Sequence, residues 1–209
     1  MNFGSLLGIT VVGAMLGLGA AGCTASTEAD PDGVEDVDGD EEEAVESTSD
    51  ELKKSTCAAS LATGAVPKKH RALLNAIAFA EGTRGHGHDG YNVTFAYRYF
   101  SSCKKHPNMK VCAGSYCSTA AGRYQFLTAT WKGLGYSNFG PANQDKGAMK
   151  LVARRGAKVP TGRSMTATEF ANTMNRISWE WASLPPGRYG QPSYSMKTMR
   201  SKYCAFAGC

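Results

Sequence analysis

One glutamate lies where an ionised side chain is costly. Glu81 comes four residues after Ile77 and eight after Leu73, so in a helix all three share one apolar face. Gly82 follows directly and predicts that the helix ends there. Burial and the partial negative charge of a helix C-terminus both raise the pKa of a carboxyl group. A carboxylic acid that keeps its proton near neutral pH can serve as a general acid. The alternative is a glutamate that bends back to solvent or pairs with an arginine, since helix ends fray.

Hydrophobic periodicity predicts the helices that would position this glutamate. Pro67 opens the first helix, which carries Leu73, Ile77 and Glu81. Pro141 opens a second helix that runs to Arg155. A third helix and a short last helix follow. The third begins with a capping box of Thr166 and Glu169 and ends before Pro185-Pro186. Its apolar stripe is Phe170, Met174, Ile177 and Trp181. The last helix spans Ser193 to Tyr203.

One segment has the alternation of a strand. From Tyr91 to Tyr99, every second residue is aromatic or valine, and the residues between are mostly polar. A period of two predicts a β-strand with one buried face. Helices with one short sheet make an α+β domain, and about 150 residues can bury a substantial core.

The charge is divided between two regions. Residues 24–56 contain 13 acidic residues against two lysines, a net charge of −11. Few of them are large and apolar, so we expect a disordered acidic tether. Residues 57–209 contain five acidic residues against 21 Lys and Arg, a net charge of +16. This cationic region favours a polyanionic partner. No nucleic-acid motif accompanies the charge, so we expect no nucleic-acid partner.

The first 23 residues are typical of an export signal. Residues 1–22 carry no charged side chain, and small residues directly precede Cys23, as in a bacterial lipoprotein cleavage box. We expect lipidation of Cys23 and membrane anchoring in the periplasm or at the outer membrane. The alternatives are ordinary signal cleavage with secretion, near Ala25 or Ser26, and an uncleaved anchor. The predicted organisation is therefore 1–23 export segment, 24–56 tether and 57–209 domain.

The remaining six cysteines indicate disulfides. An even number in an exported domain predicts three bonds, among Cys57, Cys103, Cys112, Cys117, Cys204 and Cys209. Six cysteines allow 15 pairings, and the sequence favours only the local loops Cys112–Cys117 and Cys204–Cys209. A zinc site is the alternative, but the spacing fits no compact zinc motif. His86-Gly-His88-Asp89 reads as a solvated loop, so we expect no metal and no cofactor.

Several ordered blocks carry a family resemblance. They are Ala78-Phe79-Ala80-Glu81-Gly82-Thr83, Gly90-Tyr91-Asn92-Val93, His106-Pro107, Gly122-Arg123-Tyr124-Gln125, Asn143-Gln144-Asp145, Arg155-Gly156-Ala157, Trp181-Ala182-Ser183-Leu184-Pro185 and Tyr189-Gly190-Gln191. In this order the chain resembles the lambda endolysin-like lytic transglycosylases, which cleave peptidoglycan. The resemblance implies a lysozyme-like fold, with a mainly helical lobe, a small β lobe and a cleft between them.

The resemblance also assigns roles to residues. It makes Glu81 the single catalytic residue and places Arg123, Tyr124, Gln125, Tyr189 and Gln191 at the sugar-binding cleft. A core position for Tyr124 and a turn-bracing role for Gln125 are the alternatives. Asn92 stands where the family pattern has an aspartate, so any charge role there is lost.

The scarcity of acids favours a mechanism with one carboxylate. Glu81 would protonate the leaving oxygen and then deprotonate the C6 hydroxyl of the same N-acetylmuramic acid, giving a 1,6-anhydro product. Two alternatives stay open. One is a hydrolytic muramidase in which Asp89 assists a water, and the other is a non-catalytic cationic module that binds peptidoglycan. We expect a monomer.

Overall fold

The computed structural model describes residues 55–209. The predicted export segment with Cys23, and the acidic tether up to residue 54, lie outside the described residues. Within residues 55–209, no helix is long and apolar enough to cross a membrane.

Five α-helices supply most of the regular secondary structure of the described residues. They are α1 Lys68–Ala80, α2 Thr128–Leu134, α3 Pro141–Arg154, α4 Ala167–Ile177 and α5 Met196–Ala207. A short 3₁₀ turn, Ala59–Ala62, precedes α1. The predicted capping box opens α4, because Thr166 and Glu169 each accept a hydrogen bond from the other's backbone N–H. Three differences from the sequence prediction are that α2 was not foreseen, α4 ends at Ile177 well before Pro185, and α5 extends beyond Tyr203.

The apolar faces of the helices meet in one core. Leu73 and Ile77 of α1 are fully buried, as are Met174 of α4 and Met199 of α5. Helix α1 packs mainly against α5 and also against α3, so it is a central element of the helical lobe. Trp181 is buried too, although it lies beyond the end of α4. The helix that carries Glu81 is therefore fixed by contacts on several sides.

The predicted strand between Tyr91 and Tyr99 is wrong. The chain turns within it at a 3₁₀ element, Phe95–Tyr97, where Ala96 and Tyr97 adopt φ of +57° and +56°. A strand cannot continue through positive φ, so the segment folds back and Val93 forms a bridge with Tyr99. Burial does not alternate along this segment, because residues 91–95 are all buried and residues 96–99 are all exposed.

The small sheet lies later in the chain. Strand β1, Val111–Ala113, pairs antiparallel with β2, Tyr116–Ser118. A second, small apolar cluster of Phe95, Val111 and Ala120 lies in this part of the molecule, separate from the helical core. The α+β class with a helical lobe and a small β lobe is confirmed.

The six cysteines of the domain form three disulfides. Cys112–Cys117 links the two strands, and Cys204–Cys209 closes the C-terminal end of α5, as predicted. Cys57–Cys103 joins positions 46 residues apart, a pairing that the sequence left open.

Candidate active site

Glu81 is the C-cap residue of α1, and backbone hydrogen bonds fix its position. Gly82 adopts φ +70° and its N–H donates to Phe79 O at 3.0 Å, while Thr83 N–H donates to Ala78 O at 3.1 Å. This pair of bonds is a Schellman motif, which needs a residue with positive φ directly after the C-cap. Glycine at position 82 therefore ends the helix immediately after the candidate acid.

The carboxyl group of Glu81 is surrounded by protein, although the residue keeps some exposed surface. Burial raises its pKa from 4.5 to about 8. The Ser183 hydroxyl donates a hydrogen bond of 2.5 Å to Glu81 Oε1. This bond stabilises the carboxylate and lowers the pKa, but the loss of solvation is the larger effect. At neutral pH the site therefore holds a protonated acid beside a hydroxyl that can stabilise its conjugate base.

Two further sequence blocks converge on the end of α1. Thr83 Oγ1 donates to Arg123 O at 2.6 Å, which ties the Glu81 turn to residues 122–125. Trp181 Nε1 donates to Tyr124 O at 3.0 Å, which ties the same residues to the segment that carries Ser183. Long-range hydrogen bonds thus hold the acid, its hydroxyl partner and the 122–125 turn in one unit.

The structure places Arg123, Tyr124 and Gln125 in the interior. Tyr124 is fully buried, and Arg123 and Gln125 are 2% and 8% exposed. Gln125 Nε2 donates to Gly122 O at 2.9 Å, and Arg123 pairs with Asp89. The alternatives that the sequence left open, a core tyrosine and a turn-bracing glutamine, describe these positions. A role at the sugar-binding cleft stays a prediction for Arg123, Tyr124 and Gln125. Because they are buried, they would support the cleft rather than contact the sugar.

Tyr124 belongs to a buried polar network around Asp145. The carboxylate of Asp145 accepts hydrogen bonds from the phenols of Tyr124 at 2.5 Å and Tyr91 at 2.8 Å. It also pairs with Arg71, whose Nη1 donates to the Tyr91 phenol at 2.9 Å. A buried carboxylate is tolerated when it has such partners. The network explains why the 122–125 turn is rigid without assigning it any chemistry.

Tyr189 and Gln191 lie on the segment after Pro186 and are partly exposed. The Tyr189 hydroxyl donates to Trp179 O at 3.0 Å, and the two rings meet edge-on. Gln191 Oε1 is buried and has no hydrogen-bond partner among residues 55–209. Tyr189 can offer an aromatic face to a ligand, whereas protein covers the Gln191 amide oxygen, and the predicted substrate role of both residues stays a prediction.

Two residues beside Glu81 received no role from the sequence. Ser183 lies in the Trp181–Pro185 block that contributes to the family resemblance, and this is the only sequence signal for a role of Ser183. Tyr97 is 44% exposed, and a Cβ on Gly82 would lie 2.6 Å from its hydroxyl oxygen, so its hydroxyl lies against the residue that follows Glu81. Its ring also contacts His86 at a centroid distance of 4.8 Å. An exposed aromatic pair beside the turn that carries the candidate acid is suited to contact a sugar ring.

The other four acids of residues 57–209 are all in ion pairs. Asp89 pairs with Arg123, and Asp145 with Arg71. Glu169 pairs with Arg163, and Glu180 with Arg154 and Arg155. Within the described chain, Glu81 is the one carboxyl group without a cationic partner, and this separates it from every other acid.

The histidine-rich loop has no metal-binding arrangement in the described chain. Residues 55–209 contain no group of three His, Cys, Asp or Glu side chains placed to hold an ion. His86 is exposed and its ring lies tilted against Tyr97, while Asp89 pairs with Arg123. Asn92 Oδ1 accepts from His88 N–H at 2.9 Å, so the amide at this position organises the loop.

Comparison with known proteins agrees with this architecture. A family model described as endolysin matches residues 71–209. The endolysin of Escherichia phage lambda is 31% identical over 150 residues, which cover 66% of this chain and 90% of that protein. The endolysin of Escherichia phage P2 is 36% identical over 86 residues, which cover 39% of this chain and 50% of that protein.

Solved structures extend the likeness to the fold. The structure of bacteriophage lambda lysozyme complexed with a chitohexasaccharide superposes with a TM-score of 0.61 at 30% identity. The match covers 68% of this chain and 95% of that one. A second structure of lysozyme from bacteriophage lambda gives a TM-score of 0.56 at 28% identity.

Fold and comparisons together define a lysozyme-like, peptidoglycan-degrading enzyme. The chain belongs to the endolysin family, and the resemblance stated from the sequence is confirmed.

Proposed function

We propose that this protein is a peptidoglycan lytic transglycosylase in which Glu81 acts first as general acid and then as general base. Its substrate is the β-1,4 bond between N-acetylmuramic acid and N-acetylglucosamine. The observation that carries the proposal is the state of Glu81. Its carboxyl group has a pKa of about 8, and it has no cationic partner among residues 55–209, where every other acid is ion-paired.

The reaction needs only this one carboxyl group. Protonated Glu81 gives its proton to the glycosidic oxygen, and the bond between that oxygen and C1 of the muramic acid breaks. The resulting carboxylate takes the proton of the C6 hydroxyl of the same sugar, and O6 forms a bond with C1. Glu81 is protonated again, and no water is consumed. Because the attacking oxygen belongs to the substrate, its high effective concentration replaces a second carboxylate that would activate water.

Ser183 has a defined place in this cycle. After the first proton transfer, Glu81 is a carboxylate in surroundings that disfavour charge. The Ser183 hydroxyl donates to Glu81 Oε1 and stabilises that form until the second transfer. Ser183 is fully buried, so its hydroxyl is held in place rather than free to turn toward solvent.

The position of Asp89 bears on the hydrolytic alternative. A hydrolytic muramidase would need a group that activates water, and Asp89 was the sequence candidate. Its carboxylate pairs with Arg123 and also accepts from Gly85 N–H at 3.0 Å. Both contacts engage the oxygens that would have to activate a water, which favours transglycosylation.

Mass spectrometry of peptidoglycan digested by the purified protein tests the proposal. Anhydro-muramyl products, one water lighter than reducing-end products, are expected. Glu81→Gln should give no products, and Glu169→Gln should digest like the wild type because Glu169 lies in a surface ion pair. Reducing-end products would establish hydrolysis instead. Wall binding without digestion would support the cationic binding module.

We also propose that the protein is exported and carries a lipid on Cys23. Three disulfides within residues 57–209 support an oxidising compartment. Mass spectrometry of the protein from membrane fractions tests the lipid, with Cys23→Ser as the control. An unmodified N-terminus created by cleavage near Ala25 would favour simple secretion.

A further inference from the structure

An open cavity of about 580 Å³ lies apart from the candidate active site. Its lining includes four arginines and a tryptophan, here named the arginine basin: Arg154, Arg155, Arg176, Arg188 and Trp179. The C-terminal ends of α3 and α4 and the segment that follows α4 supply these residues. Nothing in the proposed reaction at Glu81 uses them.

The basin already binds one carboxylate, and it has charge left over. Arg154 Nη2 donates to both oxygens of Glu180, at 3.0 and 2.9 Å, and Arg155 Nε donates to one of them at 2.6 Å. Arg176 and Arg188 contact no carboxylate among residues 55–209. Four arginines against one glutamate leave a net charge of +3. The basin is therefore suited to an anion, and its geometry is compatible with carboxylates.

Helix capping does not account for all of these arginines. Arg188 has a structural part, since it donates to Asn175 O and Ser178 Oγ at 2.8 Å and lies 4.3 Å over the Trp179 ring. Arg176, by contrast, is exposed and makes one long hydrogen bond of 3.4 Å, to Arg155 O. Trp179 is 46% exposed in spite of its size. Arg188 and Trp179 thus form a fixed wall, and Arg176 keeps free donors beside it.

The basin and the candidate active site share one segment of chain. Glu180, which pairs with Arg154 and Arg155 of the basin, is three residues before Ser183, which donates to Glu81. Three residues span at most about 10 Å, so the backbone of Glu180 lies within about 10 Å of the backbone of Ser183. Tyr189, a predicted substrate residue on the same segment, donates to Trp179 O. Each residue of an extended peptide adds about 3.5 Å of reach, so a peptide attached to a strand bound at Glu81 can extend toward the basin.

We propose that the arginine basin binds the carboxylates of the peptide stems that peptidoglycan carries on its muramic acid units. The proposal rests on the proposed function, because it takes the strand cleaved at Glu81 as the ligand. The stems are attached to the sugar whose bond breaks, so their carboxylates are the anions nearest to the cleavage point. Arg176 and Arg188 supply the guanidinium groups that Glu180 leaves unpaired.

Activity on two forms of the substrate tests this inference. The wild-type protein is assayed on intact peptidoglycan and, separately, on glycan strands from which an amidase has removed the stems. The measured quantity is the ratio of kcat/KM on intact peptidoglycan to kcat/KM on stem-free strands. Arg176→Ala should lower that ratio about two- to fivefold, the range expected for an exposed charge pair. Arg176→Glu should lower it further, and Arg176→Lys should restore part of it. Lys105→Ala removes an exposed charge elsewhere and should leave the ratio unchanged.

A binding measurement separates this inference from the proposed reaction. Glu81→Gln protein, with and without Arg176→Ala, is sedimented with intact and with stem-free material, and no turnover is needed. If the double variant binds intact peptidoglycan more weakly than Glu81→Gln does, but binds stem-free strands equally well, the result supports stem binding at the basin. This holds even if the reaction products prove to be reducing ends.

Three outcomes would overturn the proposal. An unchanged ratio for Arg176→Glu would mean that the basin does not contact the stems. An equal loss on both substrates would indicate glycan binding or damage to the fold. Higher activity of Arg176→Ala on intact peptidoglycan at low salt would indicate that the acidic residues 24–56 of this chain occupy the basin instead.

Discussion

The pKa of Glu81 links the stability of the fold to pH, and Glu81→Gln isolates that link. In the unfolded chain the carboxyl group loses its proton near pH 4.5, and in the folded protein it does so near pH 8. Between these values the folded state binds one proton more than the unfolded state. The free energy of unfolding then falls by about 1.4 kcal/mol for each unit of rising pH. Stability contributed by this group is complete below pH 4.5 and is lost as the pH rises toward 8.

Glutamine does not titrate, and it keeps a carbonyl oxygen that can accept the Ser183 hydrogen bond. The other groups titrate alike in both proteins, so their effects cancel in the difference. The stability advantage of Glu81→Gln should grow from near zero at pH 4 to about 3 kcal/mol at pH 7. It should level off at about 5 kcal/mol above pH 8, the full value of the shift from 4.5 to about 8.

Urea unfolding of both proteins at each pH unit from 4 to 8 measures this difference. Thermal melting gives a second readout, in which 3 kcal/mol corresponds to a midpoint about 6–12 °C higher for the variant at pH 7. Glu169→Gln is the matched control, because Arg163 and the Thr166 backbone lower the pKa of Glu169 to about 2. The difference in the free energy of unfolding between Glu169→Gln and the wild type should stay constant from pH 5 to 8. A Glu81→Gln difference that is also flat over this range would refute the raised pKa.

Three further predictions concern the support of the site. Ser183→Ala should raise the pKa of Glu81 further and so shift the alkaline limb of the kcat/KM profile to higher pH. It should also lower the rate about 10- to 100-fold. An alkaline limb that does not shift would contradict the role given to the Ser183 hydroxyl. Asp145→Asn should lower the free energy of unfolding by about 3 kcal/mol in urea titrations, because it disrupts a buried ion pair, while the pH profile of the residual activity stays in place. Replacing Cys57 and Cys103 by serine should cost about 4 kcal/mol in the same assay, against about 2 kcal/mol for either five-residue disulfide loop, since the unfolded chain gains more freedom from a 46-residue loop. Equal costs would argue against the entropic explanation.

Features set by neighbours in sequence could be predicted from the sequence. The apolar face of α1, its end at Gly82 and the position of Glu81 all follow from residues within two helical turns. The capping box of α4 follows from a four-residue pattern. The two local disulfides follow from short spacing in the same way.

Features set by distant partners could not be predicted. Ser183 meets Glu81 across 102 residues, and nothing local to either residue indicates that contact. The segment from Tyr91 to Tyr99 has the alternation of a strand, yet Ala96 and Tyr97 take positive φ values that no residue pattern signals. The resemblance identified the 122–125 block as important, but only the contacts with Asp145, Thr83 and Trp181 show how it supports the site.

The charge balance of the domain makes the state of Glu81 unusual. With 21 basic residues against five acidic ones, any carboxylate in residues 57–209 has many possible cationic partners. Four of the five acidic side chains form an ion pair with an arginine, including the fully buried Asp145. Glu81 has none among the described residues and receives only a hydroxyl, so its charged form is destabilised in a protein where pairing it would have been easy. A chain that leaves this acid unpaired gives up stability at neutral pH, and general-acid chemistry is a function that would keep it so.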